Sequence, residues 1–327
     1  MNIKPLPMRD VFLEKIWNEM SLDPLIFFVS ADFGSPVLDK IREDFPDRFI
    51  NVGIAEQNLI NITAGLAIEG FKVFAYAIAP FITMRCFEQI RVSLALLSEV
   101  RPMNVNLIGV GAGYSYVVSG PTHQCYEDIT IMRALPNFQV LSPADHITTS
   151  KLFNGCIASN GLRYLRLDAQ VQPVLYPLKS PVVADGFHLH SKGEKVCFIA
   201  TGFMTHTALK VSEEISKKGF KVGVIDIFNL TDFKKEGLKK ILKSYSAIVS
   251  FEEGFRGRGG LDSMLFEFIS ESKLDLRTLN IGVDPGYSFE LGSRHELHEK
   301  VGVGVQSALK KIQPFIQTIM NETKEQL

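Results

Sequence analysis

The strongest constraint on this chain is a rhythm. Continuous apolar runs, rich in β-branched and aromatic residues, alternate with longer helical stretches. LIFFVS (25–30), KVFAYAI (72–78), NVNLIGV (104–110), FQVLSP (138–143) and RYLRL (163–167) read as strands. They do not alternate polar with apolar residues, so both faces must be covered, as in a parallel sheet between helices. Helical segments at 57–69, 84–98, 124–135 and 145–159 lie between them. Gly70 is placed to stop the first of these and Asp145 to cap the last. A second series follows Pro181, with strands at 195–201, 221–227, 247–253 and 276–282 and helices at 204–218, 234–244 and 261–272. The expectation is an α/β protein of two consecutive doubly wound domains. With 327 residues the chain is long enough for both. Three prolines in 172–181 place the linker there and divide the chain into domains at 1–175 and 182–327.

Charge and cysteine usage narrow the function classes. Lysine and arginine total 35 against 36 aspartate and glutamate, which excludes a strongly basic nucleic-acid surface and a polyacidic tail. Cys86, Cys125, Cys156 and Cys197 are far apart and form no CxxC pair. That argues against a disulfide framework or zinc ribbon and for a reducing compartment. No window of about 18 uninterrupted apolar residues occurs. The first twenty residues are broken by charges and do not read as a signal peptide. A soluble, cytoplasmic protein with neither membrane nor nucleic acid as partner is expected.

The chemistry concentrates in FPDRFINVGIAEQNLINITAG (45–65). Glu56 lies where a strand-like segment passes into a helix, among Ile54, Ala55, Leu59, Ile60 and Ile62. A carboxylate there is either a helix-start residue favoured by the helix dipole or a catalytic group. GPTHQCYED (120–128) sets His123 after a tight turn. From there it either moves a proton near neutral pH or caps the next helix. FINVGIAEQN and GPTHQ, in that order, with FEQIR (87–91) and RALPNFQVLSPAD (133–145), closely resemble motifs of the transketolase family. The resemblance runs over about residues 8–312 and is strongest before Asp145.

The resemblance implies a thiamine-diphosphate pyrimidine-binding domain followed by a transketolase C-terminal-like domain. It implies that Glu56 hydrogen-bonds a ring nitrogen of the cofactor and that His123 exchanges protons with a substrate oxygen. Phe81 is implied to stack on the pyrimidine, with Ile54, Ile78 and Arg85 around it; Ile78 stands where the family has a second aromatic residue. Substrate contacts fall to Asp32, Ser35, Gly111, Tyr114, Ser119 and Arg166. Asp32 reads equally as a turn residue, Phe81 almost equally as core, Tyr114 as packing and Arg166 as an ion-pair partner. Two positions depart from the family. Ser119 replaces an aspartate that meets a sugar hydroxyl, and Gly111 replaces a histidine that helps bind sugar phosphate. Losing a charge-assisted contact at each shifts substrate preference by a few kcal/mol in order of magnitude, so the usual sugar phosphate is not the expected substrate.

The family's diphosphate-binding domain carries a GDG…N pattern, and GDG occurs nowhere here; residues 1–20 leave no room for that domain. The implied protein is one half of a split enzyme that transfers a two-carbon ketol unit. A partner subunit would bring the diphosphate site and hold a divalent metal (Mg or Ca), in an α2β2 heterotetramer. No metal ligand is expected on this chain. The alternatives are the β subunit of a 2-oxo acid decarboxylating or dehydrogenase-type enzyme, and a non-catalytic subunit of the same fold. The C-terminal domain is expected to stabilise the assembly without touching the chemistry. Of the remaining features, GFRGRGG (254–260) reads as a turn and His188 with His190 as a surface pair; His295 and His298 read as a solvated helix face.

Overall fold

The computed structural model describes residues 3–325, with side chains to residue 321. The first half runs α1 (Met8–Met20), β1 (Ile26–Ser30), α2 (Pro36–Asp44), β2 (Phe49–Asn51), α3 (Glu56–Ile68) and β3 (Lys72–Ile78). A helical stretch containing α4 (Phe87–Gln89) leads to β4 (Asn104–Val110), α5 (Asp128–Arg133), β5 (Phe138–Leu141), α6 (His146–Ala158) and β6 (Gly161–Leu167). The second half runs β7 (Phe187–Ser191), β8 (Val196–Ala200), α7 (Met204–Ser216), β9 (Gly223–Ile227), α8 (Lys235–Leu242) and β10 (Ala247–Phe255). It ends with α9 (Leu261–Ser272), β11 (Arg277–Val283), α10 (Arg294–Lys300) and α11 (Val305–Glu325).

The first sheet has six parallel strands in the order β2-β1-β3-β4-β6-β5. All seven residues of β4 are buried, which is why its sequence shows no alternation. The second sheet is ordered β11-β10-β8-β9-β7. Its edge strand β7 runs antiparallel to β9, so this sheet is mixed rather than purely doubly wound. Asp145 caps α6 as expected, accepting from the Thr148 N–H at 2.8 Å. Gly70, with φ 93°, follows the end of α3.

Three apolar clusters layer the molecule. One packs α1, α2 and α6 on the outer face of the first sheet. A second packs α7 and α11 on the outer face of the second sheet. The third is continuous between the two sheets and joins Val29, Ala64 and Leu107 to Ile199, Leu238 and Phe268. Main-chain bonds also cross. The Leu230 N–H donates to the Val140 carbonyl and the Ser142 N–H to that of Phe228, both at 2.8 Å.

Three elements differ from the sequence expectation. β2 is only three residues long and half-exposed, too short to show a period. The helix expected at 84–98 starts at Phe81 and is wound wide, with π turns at Phe81–Arg85 and Ile90–Leu96 on either side of α4. Such turns often mark functional sites. The helix expected at 124–135 forms only over Asp128–Arg133, which leaves 124–127 as irregular backbone between His123 and α5.

Candidate active site

The loops after β1, β2, β3 and β4 all leave the carboxyl edge of the first sheet, and the strand order reverses between β1 and β3. Sites in open α/β sheets form at such a crevice. Glu56 is the first residue of α3, directly beyond β2, where the helix dipole favours a negative charge. It is only 2 % exposed. Its Oε2 accepts from Arg85 Nη1 at 2.6 Å. Among the described residues its Oε1 takes no hydrogen bond. Cys86 lies near, and burial and the Glu56 charge push its thiol up to about 12.

Aromatic contacts continue from that ion pair. The Arg85 guanidinium lies over the Phe81 ring, 4.4 Å from its centroid. Phe81 meets His123 edge-on at 5.2 Å, and His123 meets Tyr116 edge-on at 6.2 Å. Thr122 Oγ1 is 3.0 Å from His123 Nδ1, which leaves Nε2 as the open ring nitrogen. Glu56, Arg85, Phe81 and His123, widely separated in sequence, therefore form one row. The wide turn at Phe81–Arg85 sets Phe81 and Arg85 facing the start of α3. Ile78 is partly exposed at the end of β3, and Ile54 is 76 % exposed just before α3.

The second half of the chain grips the loop that carries His123. Gly113 and Cys125 pair through two main-chain bonds of 3.0 Å, closing 113–125 into a loop. Tyr114, inside it, and Tyr126, just beyond it, are buried in the cluster beneath α7 and α11. Glu253 of β10 accepts from the Tyr114 N–H, and Tyr287 donates to Glu127 at 2.9 Å. Glu253 is itself held by Arg294 Nη2 at 2.7 Å and by His298 Nε2 at 2.6 Å. Arg294 Nη1 reaches Asp168 at 2.5 Å. Burial pushes the Glu253 carboxyl up, but Arg294 and His298 outweigh it and hold the group well below the usual carboxylate range. The C-terminal half thus braces the loop that carries His123, through Glu253 and Tyr287. His298 is no solvated helix residue, because α10 turns it inward onto Glu253.

Several expected substrate contacts have structural occupations. Tyr114 is 1 % exposed and packs against Tyr126 and His298, so it does not face the site. Arg166 is buried and donates to Asp128 Oδ2 at 2.8 Å, as does the Tyr164 hydroxyl; both anchor the start of α5. Ser35 caps α2 by accepting from the Val37 N–H at 3.3 Å. Asp32, at φ 52°, is exposed and tied to Asn51 by bonds of 3.0 and 3.1 Å. Ser119 is exposed beside the His123 turn. Gly111 takes φ 110°, and a side chain there would collide with the Tyr116 ring.

Sequence reasoning missed Arg9 and Glu253. Tyr76 lies within β3, fully buried, with Arg9 of α1 beside its hydroxyl. No local motif announces any of these, since each acquires its neighbours only through sheet packing. His188 meets the Tyr176 ring edge-on, His190 lies tilted against it, and His190 Nε2 is 3.0 Å from the Tyr176 hydroxyl. GFRGRGG is the turn between β10 and α9. The Leu261 and Asp262 N–H groups there donate to Glu252, so its own carboxylate fills the helix start. Among the described residues, no group of three or more His, Cys, Asp or Glu is placed to hold a metal ion. Nor is any described helix long and apolar enough to cross a membrane.

The architecture and the acidic helix start after β2 define the pyrimidine-binding and C-terminal domain pair of thiamine-diphosphate enzymes. Comparison with known proteins agrees. Residues 4–172 match the transketolase pyrimidine-binding domain and residues 186–307 the transketolase C-terminal domain. The chain belongs to the transketolase family. It is 28% identical over 302 residues to one subunit of the apulose-4-phosphate transketolase of Actinobacillus succinogenes, covering 92% of this chain and 94% of that one. It is 30% identical over 282 residues to a putative transketolase C-terminal section of Methanocaldococcus jannaschii, covering 85% and 86%. A solved split-gene transketolase, described as an inactive β4 tetramer, superposes with TM-score 0.82 at 28% identity over 95% of this chain and 98% of that one.

Proposed function

We propose that this chain is the pyrimidine-binding half of a two-chain transketolase that moves a two-carbon ketol unit from a ketose-type donor to an aldehyde or ketone acceptor. The observation that carries the reading is buried Glu56, with one oxygen fixed by Arg85 and the other open, in a row that includes His123. The open Oε1 suits the ring nitrogen of a thiamine pyrimidine, and Phe81 and Ile78 offer that ring an apolar face. Bound thiamine diphosphate supplies the nucleophilic carbon and stores the electron pair of the transferred unit. Arg85 fixes the orientation of Glu56. His123 Nε2 takes and returns the proton of a substrate oxygen, while Thr122 holds Nδ1.

The diphosphate, the divalent metal and the GDG…N motif belong on a partner subunit in this reading, in a cytoplasmic α2β2 assembly. The boundary between the two domains falls in 172–181. Gly111 and Ser119, together with the likeness to an apulose-4-phosphate enzyme, support a substrate outside the usual sugar phosphates. The test is the chain reconstituted with its co-purifying partner and thiamine diphosphate. Glu56→Gln is expected to lower ketol transfer by at least about 100-fold, and retained turnover overturns the assignment. Carbon dioxide release from pyruvate-like acids in the same assay would place the complex with the 2-oxo acid enzymes instead.

A further inference from the structure

The His123 row does not end at His123. Beside His123 also stands Tyr116, half-buried, its ring meeting the imidazole edge-on at 6.2 Å. Two further observations single it out. The ring occupies the space that a side chain at residue 111 would need, because a Cβ built on Gly111 falls well inside contact distance of Tyr116 Cε2 and Cδ2. The Tyr116 hydroxyl also has no hydrogen-bond partner among the described residues. The Arg9 guanidinium acts on it electrostatically. Arg9 itself is engaged by Asp10 at 2.7 Å. A half-buried hydroxyl without a protein partner is free to exchange a hydrogen bond with a ligand.

We infer that Tyr116 is the specificity-determining wall of the site: its ring limits the length of substrate that passes His123, and its hydroxyl binds an oxygen at the substrate's far end. The substrate class is a short hydroxylated carbonyl compound. It lies against His123 at its reacting end and ends in an oxygen-bearing group at the Tyr116 hydroxyl. The inference rests on the function proposed above, since it takes His123 as the group beside the reacting carbonyl. Phe81 and Tyr116 each meet the His123 ring edge-on, so a substrate held at His123 lies within reach of the Tyr116 ring.

The test uses the reconstituted two-chain enzyme with hydroxyaldehyde acceptors of three to six carbons, unmodified and phosphorylated at the far end. Tyr116→Phe keeps the wall and removes the hydroxyl. KM for the preferred acceptor is expected to rise about fivefold with kcat within about twofold, the loss of one uniform-binding hydrogen bond. Tyr116→Ala removes the wall, and the ratio of kcat/KM for longer over shorter acceptors is expected to rise about tenfold. Unchanged preference in both variants, or an equal loss on every acceptor, overturns the inference. A packing readout needs no turnover: Gly111→Ala is expected to lower the melting temperature less in Tyr116→Ala than in the wild-type background. Equal losses refute the premise that the ring fills that space. Wild-type transfer with a dead Glu56→Gln control isolates failure of this inference from failure of the proposed function. A wild-type complex that transfers nothing overturns both.

Discussion

Asp226 and Glu252 are fully buried carboxylates, and burial pushes each up to about 7. Asp226 is held by the Tyr176 hydroxyl at 2.5 Å and Thr205 Oγ1 at 2.9 Å, and Glu252 by two main-chain N–H groups. Those bonds favour the charged form but do not outweigh the desolvation. A carboxyl whose folded pKa lies above its unfolded value holds its proton more tightly when folded. Its stabilisation is full below about 4 and is lost as pH rises through about 7. Glu253 works with the opposite sign. Its depressed pKa stabilises the fold above the ordinary carboxylate range, and that contribution fades as pH falls. Asp226→Asn is neutral at every pH. The Tyr176 hydroxyl can still donate to the amide oxygen, but Thr205 must turn to accept from the amide nitrogen. Thermal melts from pH 5 to 8 are expected to decline less for this variant than for the wild type; a parallel decline means that Asp226 does not titrate in this range.

At the scale of elements, the sequence displayed whatever repeats and hid whatever depends on distant contact. Continuous apolar runs located β1, β3–β6 and β8–β10, because burial on both faces writes itself into composition. The winding of 81–96 left no trace, since α and π turns accept the same residues. Glu56, His123, Phe81 and Arg85 lay in recognisable segments, and the structure brings them together. Tyr114 and Arg166 lay in equally suggestive segments and turned inward, because the second half supplies a core for one and Asp128 an anion for the other. Glu253, which pins the His123 loop, sits near the end of an ordinary buried strand, 130 positions away. Gly113 lets that pin approach. It adopts φ 54°, and a Cβ there would collide with the Glu253 carboxylate. Gly113→Ala is therefore expected to cost about 3 kcal/mol, combining backbone strain with displacement of a buried charge. Denaturant unfolding measures it, and a loss under about 0.5 kcal/mol would show that the loop rearranges freely.

For the whole molecule the question is what makes two sheets behave as one body. The ionic bridge of Arg294 to Asp168 and Glu253 is one candidate. The apolar layer between the sheets is the other. Magnitudes decide between them. A buried ion cluster recovers little beyond its desolvation cost, although removing one member leaves bare charge worth about 3–5 kcal/mol. Each fully buried aliphatic or aromatic side chain contributes about 1.5–3 kcal/mol, and the shared layer holds many such side chains from both halves. Tyr114 and Tyr126 of the first half sit in the second half's own core, and Phe228 of the second half sits in the first half's. The apolar layer therefore carries the coupling, and the ion cluster orients the His123 loop. The single tryptophan makes this measurable. Trp17 lies on α1, hydrogen-bonded to Asp44 at 2.7 Å, so its fluorescence reports the first half alone, whereas far-ultraviolet circular dichroism reports both. In urea the two signals are expected to change together for the wild type. Arg294→Leu leaves Asp168 and Glu253 facing each other without their cation. It should move both curves to lower urea by a common amount, equivalent to about 3–5 kcal/mol, and keep them superimposed. Separation of the two curves in that variant alone would mean that the arginine bridge, not the shared apolar layer, joins the halves.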